Sequence, residues 1–524
     1  MEGSIWQNEG GECAAVLECV FACVPAETLW RRRAVCRAWR RTACDDALWR
    51  RAVLAHATPH MLRAFSAAAK REKGNKSWSW QREYQASAAQ WTRRAALPAR
   101  GPLVHAALEP LTNRLALLAE DATITIWERK EGEWRESWAG SFHARGWRRG
   151  EVARWAPGGG RLLLAGPLAL CDRWELAVLQ PTEEGSWCVV CRADAGASGG
   201  TCWAGDAAFL SLRPQLLAPG LAVTTIWLNA VSQETSSEYS GVTTPLLRIF
   251  NESAAHISHT IMTEMPSEPT DVSMEDEIVE DAEDEKDCGP LAQYYMAISA
   301  INHSQENADR ILIAAMGAAD GPRGEARALG AWRVVASALT PPPLVAGAGL
   351  AERVRWRRLR EMAGEDEEPP PPDEPTVRAL CTPPDDVCSL GAQVLGLVLH
   401  PRGSCVWAST ERGATCVSLP TLRRVLHIPL TSLRAAPALA PPHYVTPDVD
   451  DDYFVTPEGG GSGLVHVAAA RSGRCGVALK CGGPALATAL VAPAAPRAGN
   501  ASHTLLVLTT DAVHVWERSP LPCD

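Results

Sequence analysis

The sequence predicts a mainly β chain: a propeller of about seven blades, some degenerate, preceded by a small α-helical unit. Three observations predict it. The hydrophobic period changes from helical to two near residue 90, one strand–turn–strand–turn–strand layout recurs at distant places, and the length beyond residue 90 suits seven blades.

In the helical part, Val16, Leu17, Val20, Phe21 and Val24 fall at i, i+1, i+4, i+5 and i+8, one apolar face of a helix. Pro25 followed by Glu27 suits a second helix start. Leu29, Val35, Cys36 and Trp39 continue an apolar face, while the arginines between 31 and 51 take the opposite side. Asp45 and Asp46 suit a cap before Leu48 and Trp49. The unit spans 10–55, and alanine-rich, lysine-bearing 56–89 reads as a helical linker.

From residue 90 the chain is built of short β-rich runs separated by turns, among them RLALLAED, TITIWE, ELAVLQ, AVTTIWL, VLGLVLHP, TLLVLTT and AVHVWE. Residues 103–128 and 487–517 share one layout, ending in Trp127-Glu128 and Trp516-Glu517. That grammar belongs to a WD40-type blade. Seven blades of about 40–45 residues fit into 90–524 with room for disordered insertions at about 251–293 and 341–393. The last strand-like run ends at Trp516, which leaves the final blade without an outer strand. An open ring would expose sheet edges, so residues 90–97 are expected to supply that strand.

Composition narrows the function classes. The chain of 524 residues carries a net charge of −10, and the segment 264–287 alone carries −11. Residues 1–100 are basic, with 17 basic and 9 acidic side chains. No apolar run reaches the roughly 18–20 residues of a membrane span, and CAAVLECVFACV (13–24) is short, broken by Glu18 and without a basic flank, unlike a signal peptide. The seventeen cysteines read as free thiols in a reducing compartment, the cytosol or the nucleus.

Arginines interleaved with Trp39 and Trp49 raise the question of a nucleic-acid groove. Because they share helices with an apolar face, they read instead as a solvated surface or one facing an acidic partner. Neither nucleic acid nor membrane is expected as a partner. Cys188 and Cys191 form a CxxC without a second pair, and i and i+3 of a strand face opposite ways, so no metal is expected. His256 and His259 fall in a polar insert with no carboxylate placed to orient them. The runs Gly158–Gly160 and Gly459–Gly463 precede neither Lys-Ser/Thr nor a helix start and read as hairpin turns, not phosphate cradles. With no nucleophile motif, neither catalytic residues nor cofactors are expected. The acidic segment 264–287 cannot offset its ordering entropy, and Ser273, ahead of Met-Glu-Asp-Glu, is a candidate phosphosite for an acid-directed kinase. GEDEEPPPPDEP (364–375) reads as a proline-stiffened linker.

The stretch VLECVFACVPAETLWRRRAVCRAW (16–39) resembles an F-box, through Val20-Phe21, Val35-Cys36-Arg37-Ala38-Trp39 and the following Leu48-Trp49-Arg50. Together with the blade repeats, SWSWQREYQ (77–85) and IWLNAVSQETSSEYSGVTTPLLRIF (226–250), it makes the chain similar to the F-box/WD-repeat family over most of its length. That resemblance implies a non-catalytic substrate-recognition subunit of an SCF-type cullin-RING ubiquitin ligase. The F-box would dock on the Skp adaptor of the cullin scaffold, and the propeller would bind the protein to be ubiquitinated. Val16, Leu17, Val20, Phe21, Val24, Leu29, Val35, Cys36 and Trp39 are then the adaptor-binding candidates, by a helix-in-groove contact. The chain departs from the family at Glu12-Cys13, where relatives carry Leu-Pro. Some relatives reach the propeller-type adaptor of another cullin through Trp-Asp-x-Arg; the nearest runs here, Trp127-Glu128-Arg129-Lys130 and Trp516-Glu517-Arg518-Ser519, hold the arginine one place early. The alternative is a WD-repeat scaffold that joins no ligase.

Overall fold

The computed structural model describes residues 11–24, 29, 35–54, 79–81, 84, 90–109, 114–171, 173–195, 201–218, 220–231, 243–266, 309–318, 321–322, 324–339, 373–430, 444–458, 461–491 and 503–519. Seven four-stranded antiparallel sheets stand side by side as blades. Their inner strands are Leu103–Leu108, Val152–Trp155, Cys202–Trp203, Thr260–Glu264, Val394–Leu399, Asp448–Val449 and Ala485–Val491, for blades 1 to 7 in order. All seven border one central channel.

Each seam between neighbouring blades holds its own apolar cluster. This explains why Arg114–Ala119 and Thr504–Thr509 are buried almost throughout instead of alternating. A middle strand is covered on both faces by adjoining blades, so it can be apolar at every position. Indole N–H groups add polar ties between inner strands: Trp155 Nε1 donates to the Ala107 carbonyl and Trp203 Nε1 to that of Arg154, both at 2.9 Å.

The ring closes as the strand count requires. Gln90–Pro98 pairs antiparallel with Ala512–Ser519 and becomes the outer strand of blade 7. Its register slips by one residue between Arg93 and Ala95. A bulge inverts the alternation of faces. Trp91 therefore points into the core shared by blades 6 and 7, against Tyr453 at 5.5 Å, while Leu97 enters the core shared by blades 7 and 1. One strand thus holds both seams of its blade.

The segments read as insertions are corrected at their ends. Blade 4 is assembled from Thr260–Glu264, Arg310–Gly317, Ala326–Val334 and Asp386–Ser389, so the ranges 251–293 and 341–393 each include a strand. These outlying strands are four or five residues long and owe their conformation to pairing with Arg310–Gly317 and Ala326–Val334, so no period was visible in them. A single helical turn, Glu374–Ala379, also lies in the second range, with Val377 packed on Leu221 and Val223 of blade 3. Most of 264–287, including Ser273, lies outside the described residues, as do most of the linkers 56–89 and 364–375.

The helical unit comprises α1 (Gly11–Ala22), α2 (Arg37–Ala43) and α3 (Asp46–Leu54). Cys36 caps α2, its Sγ accepting from the Trp39 N–H, and the Asp45 carboxylate accepts from the Ala47 N–H ahead of α3. Beyond α3, Asp46 accepts from the Trp80 N–H at 2.6 Å, which seats Trp80 and Tyr84 on the unit's core.

Asp448 fastens blade 6 to blade 7, accepting from the N–H groups of Val449 (2.9 Å) and Leu490 (2.6 Å). Burial pushes its carboxyl up from 3.8 to about 7. Between those values the folded chain keeps a proton that the unfolded chain has released, so this contribution is full below the unfolded value and is lost as pH rises to about 7. In denaturant titrations at pH 5 and pH 8, Asp448→Asn, which copies the protonated form, should lose less stability across the interval than the natural chain; equal losses would contradict the assignment. At the closing strand, Trp91→Ala should cost about 3–5 kcal/mol in the same assay, and a cost below about 1 kcal/mol would mean that the ring closes without that anchor.

Candidate protein-docking surface

Helix α1, GECAAVLECVFA, carries apolar residues nearly all the way round. A helix of that kind needs cover on more than one side. The unit's own core supplies cover on one side only. Leu17, Phe21 and Leu29 are buried there with Ala43 and Trp49, and Phe21 meets Trp39 edge-on at 5.1 Å. The Trp49 indole donates to the Ala43 carbonyl at 2.7 Å.

The nine candidates of the apolar face consequently divide. Leu17, Phe21 and Leu29 are interior; Val24 and Trp39 are half-buried at its border. Val16 (63% exposed), Val20 (50%) and Val35 (59%) face solvent, as does Cys36. Val16 and Val20 are one turn apart and form a stripe. Helical spacing could group all nine residues but could not say which side met the other helices. Arg37, Arg40, Arg41, Arg50 and Arg51 are exposed on α2 and α3, with Arg50 lying over the Trp80 ring.

The other sequence candidates are accounted for by local structure. Glu128 is engaged by Arg114 (3.4 Å) and Lys130 (2.9 Å), and Glu517 by Arg94 (3.1 Å), so both Trp-Glu runs have their acids tied within the chain. Cys188 is exposed while Cys191 is buried, its thiol bonded to the Ala230 carbonyl and pushed up to about 12 by burial. The pair does not converge, and among the described residues no three His, Cys, Asp or Glu side chains could hold a metal ion. The turn Gly158–Gly160 has its amides occupied: Asp206 accepts from Gly158 (2.7 Å) and Glu109 from Gly160 (2.6 Å). Gly159 and Gly160 adopt φ of 72° and 71°, as a hairpin turn requires.

His256 and His259 are not part of a loose insert. They lead into the inner strand of blade 4 and meet Tyr444, His256 Nε2 lying 3.0 Å from its hydroxyl and the His259 ring edge-on to it. His259 and Tyr444 line the central channel, a cavity of about 520 Å³. Among its other polar residues, His105, Arg154, Thr446 and Asp448 were not singled out from the sequence, because no spacing links them.

Residues 15–55 match the F-box-like family model. No curated protein matches the chain. Among solved structures, the crystal structure of Saccharomyces cerevisiae Sqt1 is similar over 82% of this chain and 99% of that one, at 9% identity and a TM-score of 0.44, a likeness too slight to carry an argument. An F-box-like helical unit therefore precedes a seven-bladed propeller.

The division of the apolar face has a direct test in stability. Phe21→Ala should cost about 3–5 kcal/mol, whereas Val20→Ala should stay within about 0.5 kcal/mol of the natural chain in chemical denaturation. Similar costs for the two would mean that Val20 is interior as well.

Proposed function

We propose that the chain is the substrate-recognition subunit of an SCF-type cullin-RING ubiquitin ligase. In this reading its F-box-like unit docks on the Skp adaptor of the cullin scaffold, and its propeller binds the protein to be ubiquitinated. One observation carries the reading: the match of residues 15–55 to the F-box-like family coincides with an uncovered apolar stripe, Val16 and Val20, with Val35 also exposed. Fully burying a valine contributes about 1.5–3 kcal/mol, so a partner groove has something to gain there. The interior candidates Leu17, Phe21 and Leu29 would act by holding the stripe in shape. The architecture is typical of non-catalytic adaptor subunits, and the described cysteines are free thiols, in keeping with a location in the cytosol or nucleus. Ser273 stands in this reading as a phosphosite adjoining the propeller, to be sought by mass spectrometry of the cellular protein. The segments 77–85 and 226–250 resemble F-box/WD repeat-containing protein 5 in particular; no curated match stands behind that narrower likeness, and the ligase reading stands without it.

The second reading, a propeller scaffold outside any ligase, is favoured by Glu12-Cys13 in place of the family's Leu-Pro. Capture of partners from cell lysate separates the two. A Val16→Asp, Val20→Asp double variant, altered only at exposed positions, should keep its fold by circular dichroism and lose adaptor and cullin recovery at least tenfold. Recovery of neither partner by the natural chain supports the scaffold. Cullin recovered equally by both forms would move the docking surface to the propeller.

A further inference from the structure

Among the described residues, the central channel contains a cation without a counter-ion. Arg154, on the inner strand of blade 2, lines the cavity, and its Nε is buried without a hydrogen-bond partner. Guanidinium groups stay charged even when buried, and a buried charge is costly unless paired. The two carboxylates bordering the channel are committed elsewhere. Glu151 accepts from Arg149 at 2.7 Å, and Asp448 holds the amides of Val449 and Leu490. Among the described residues no ion pair to Arg154 is formed.

The remaining polar groups near Arg154 are neutral. Burial, with the charge of Arg154 second, pushes both His105 and His259 down to about 3. His105 Nδ1 accepts from the Ala153 N–H at 3.4 Å, which leaves its Nε2 as a donor facing Thr446 Oγ1 at 3.4 Å. His259 Nδ1 is joined to Ser258 Oγ at 2.9 Å. The walls between these groups are apolar, from Val104, Val152, Ile261, Met262, Leu397 and Leu399. One unpaired positive charge, two carboxyl groups already bonded elsewhere, a few neutral polar groups and apolar walls around about 520 Å³ match the make-up and size of small-ligand sites, which run to roughly 300–1,000 Å³.

We propose that the central channel binds a small monocarboxylate with an apolar body, its carboxylate seated on Arg154. A single guanidinium balances a single negative charge, and its planar fork fits a carboxylate. A dianion would bring a second charge that nothing beside Arg154 offsets. A free small molecule suits the volume, while an acidic segment of a partner protein would need cationic groups along its length.

The test uses the full chain and three probes: sodium benzoate, inorganic phosphate and a hexaglutamate peptide. Calorimetry should show saturable one-to-one binding of benzoate, weaker binding of phosphate and none of the peptide. Arg154→Met should weaken benzoate about 10- to 100-fold, the usual worth of a charge-assisted hydrogen bond. The same variant, freed of an uncompensated charge, should melt higher than the natural chain without benzoate and gain nothing when it is added. Imidazole NMR signals of His105 and His259 in the natural chain should move on benzoate addition, which locates the site even if the variant does not fold. No saturable benzoate binding, tighter binding of phosphate or peptide, unmoved imidazole signals, or equal benzoate affinity in Arg154→Met would each overturn the proposal.

Discussion

The antiparallel pairing of Gln90–Pro98 with Ala512–Ser519 is the contact on which the rest of the propeller depends. Every blade shares its apolar clusters with two neighbours, so a blade at an open end would leave one face wet and a row of backbone donors and acceptors unpaired. The single-residue bulge after Arg93 lets one strand serve both seams, with Trp91 on one side and Leu97 on the other. The pairing joins residues more than four hundred positions apart (Arg94 to Glu517, for example). Such a long-range contact carries a loop-closure cost that local pairing does not.

Closure also creates the channel. The inner strands are short, and each contributes only a few side chains, yet at the axis these converge from all seven blades. The polar groups there fall into two kinds. Asp448 and Glu151 are carboxyl groups that bind amide or guanidinium donors, and Asp448 acts as a tie between blades. Among the described residues, Arg154 ties nothing through its side chain. A group that bears a burial cost without a structural return is where a bound molecule is expected to supply the missing partner.

The helical unit presents the complementary case, an apolar surface without cover. Its core is small, centred on Phe21, Leu29 and Trp49, with Trp80 and Tyr84 closing one side through Asp46. A core of that size uses one side of α1 and leaves Val16 and Val20 outside. Exposed apolar stripes on small helical units favour association with another helical or grooved surface. Arg37, Arg40, Arg41, Arg50 and Arg51 of α2 and α3 are exposed as well.

The sequence by itself determined the elements that depend on local period and on counting. It placed the helix with Phe21, the strands that carry Trp127 and Trp516 in blades 1 and 7 (though these run three residues past the tryptophans), and the need for a closing strand, because these follow from side-chain spacing and from the rule that a ring has no free edge. It could group Val16, Leu17, Val20 and Phe21 but could not divide them, since the division depends on where Leu29, Trp39 and Trp49 pack. The outlying strands of blade 4 were invisible because Thr260–Glu264 and Asp386–Ser389 are strands only by virtue of their neighbours. His105, Arg154, His259 and Tyr444 come from four different blades and have no spacing in sequence that links them. Only the closed ring brings them to one axis, and only there does a guanidinium without a carboxylate become visible.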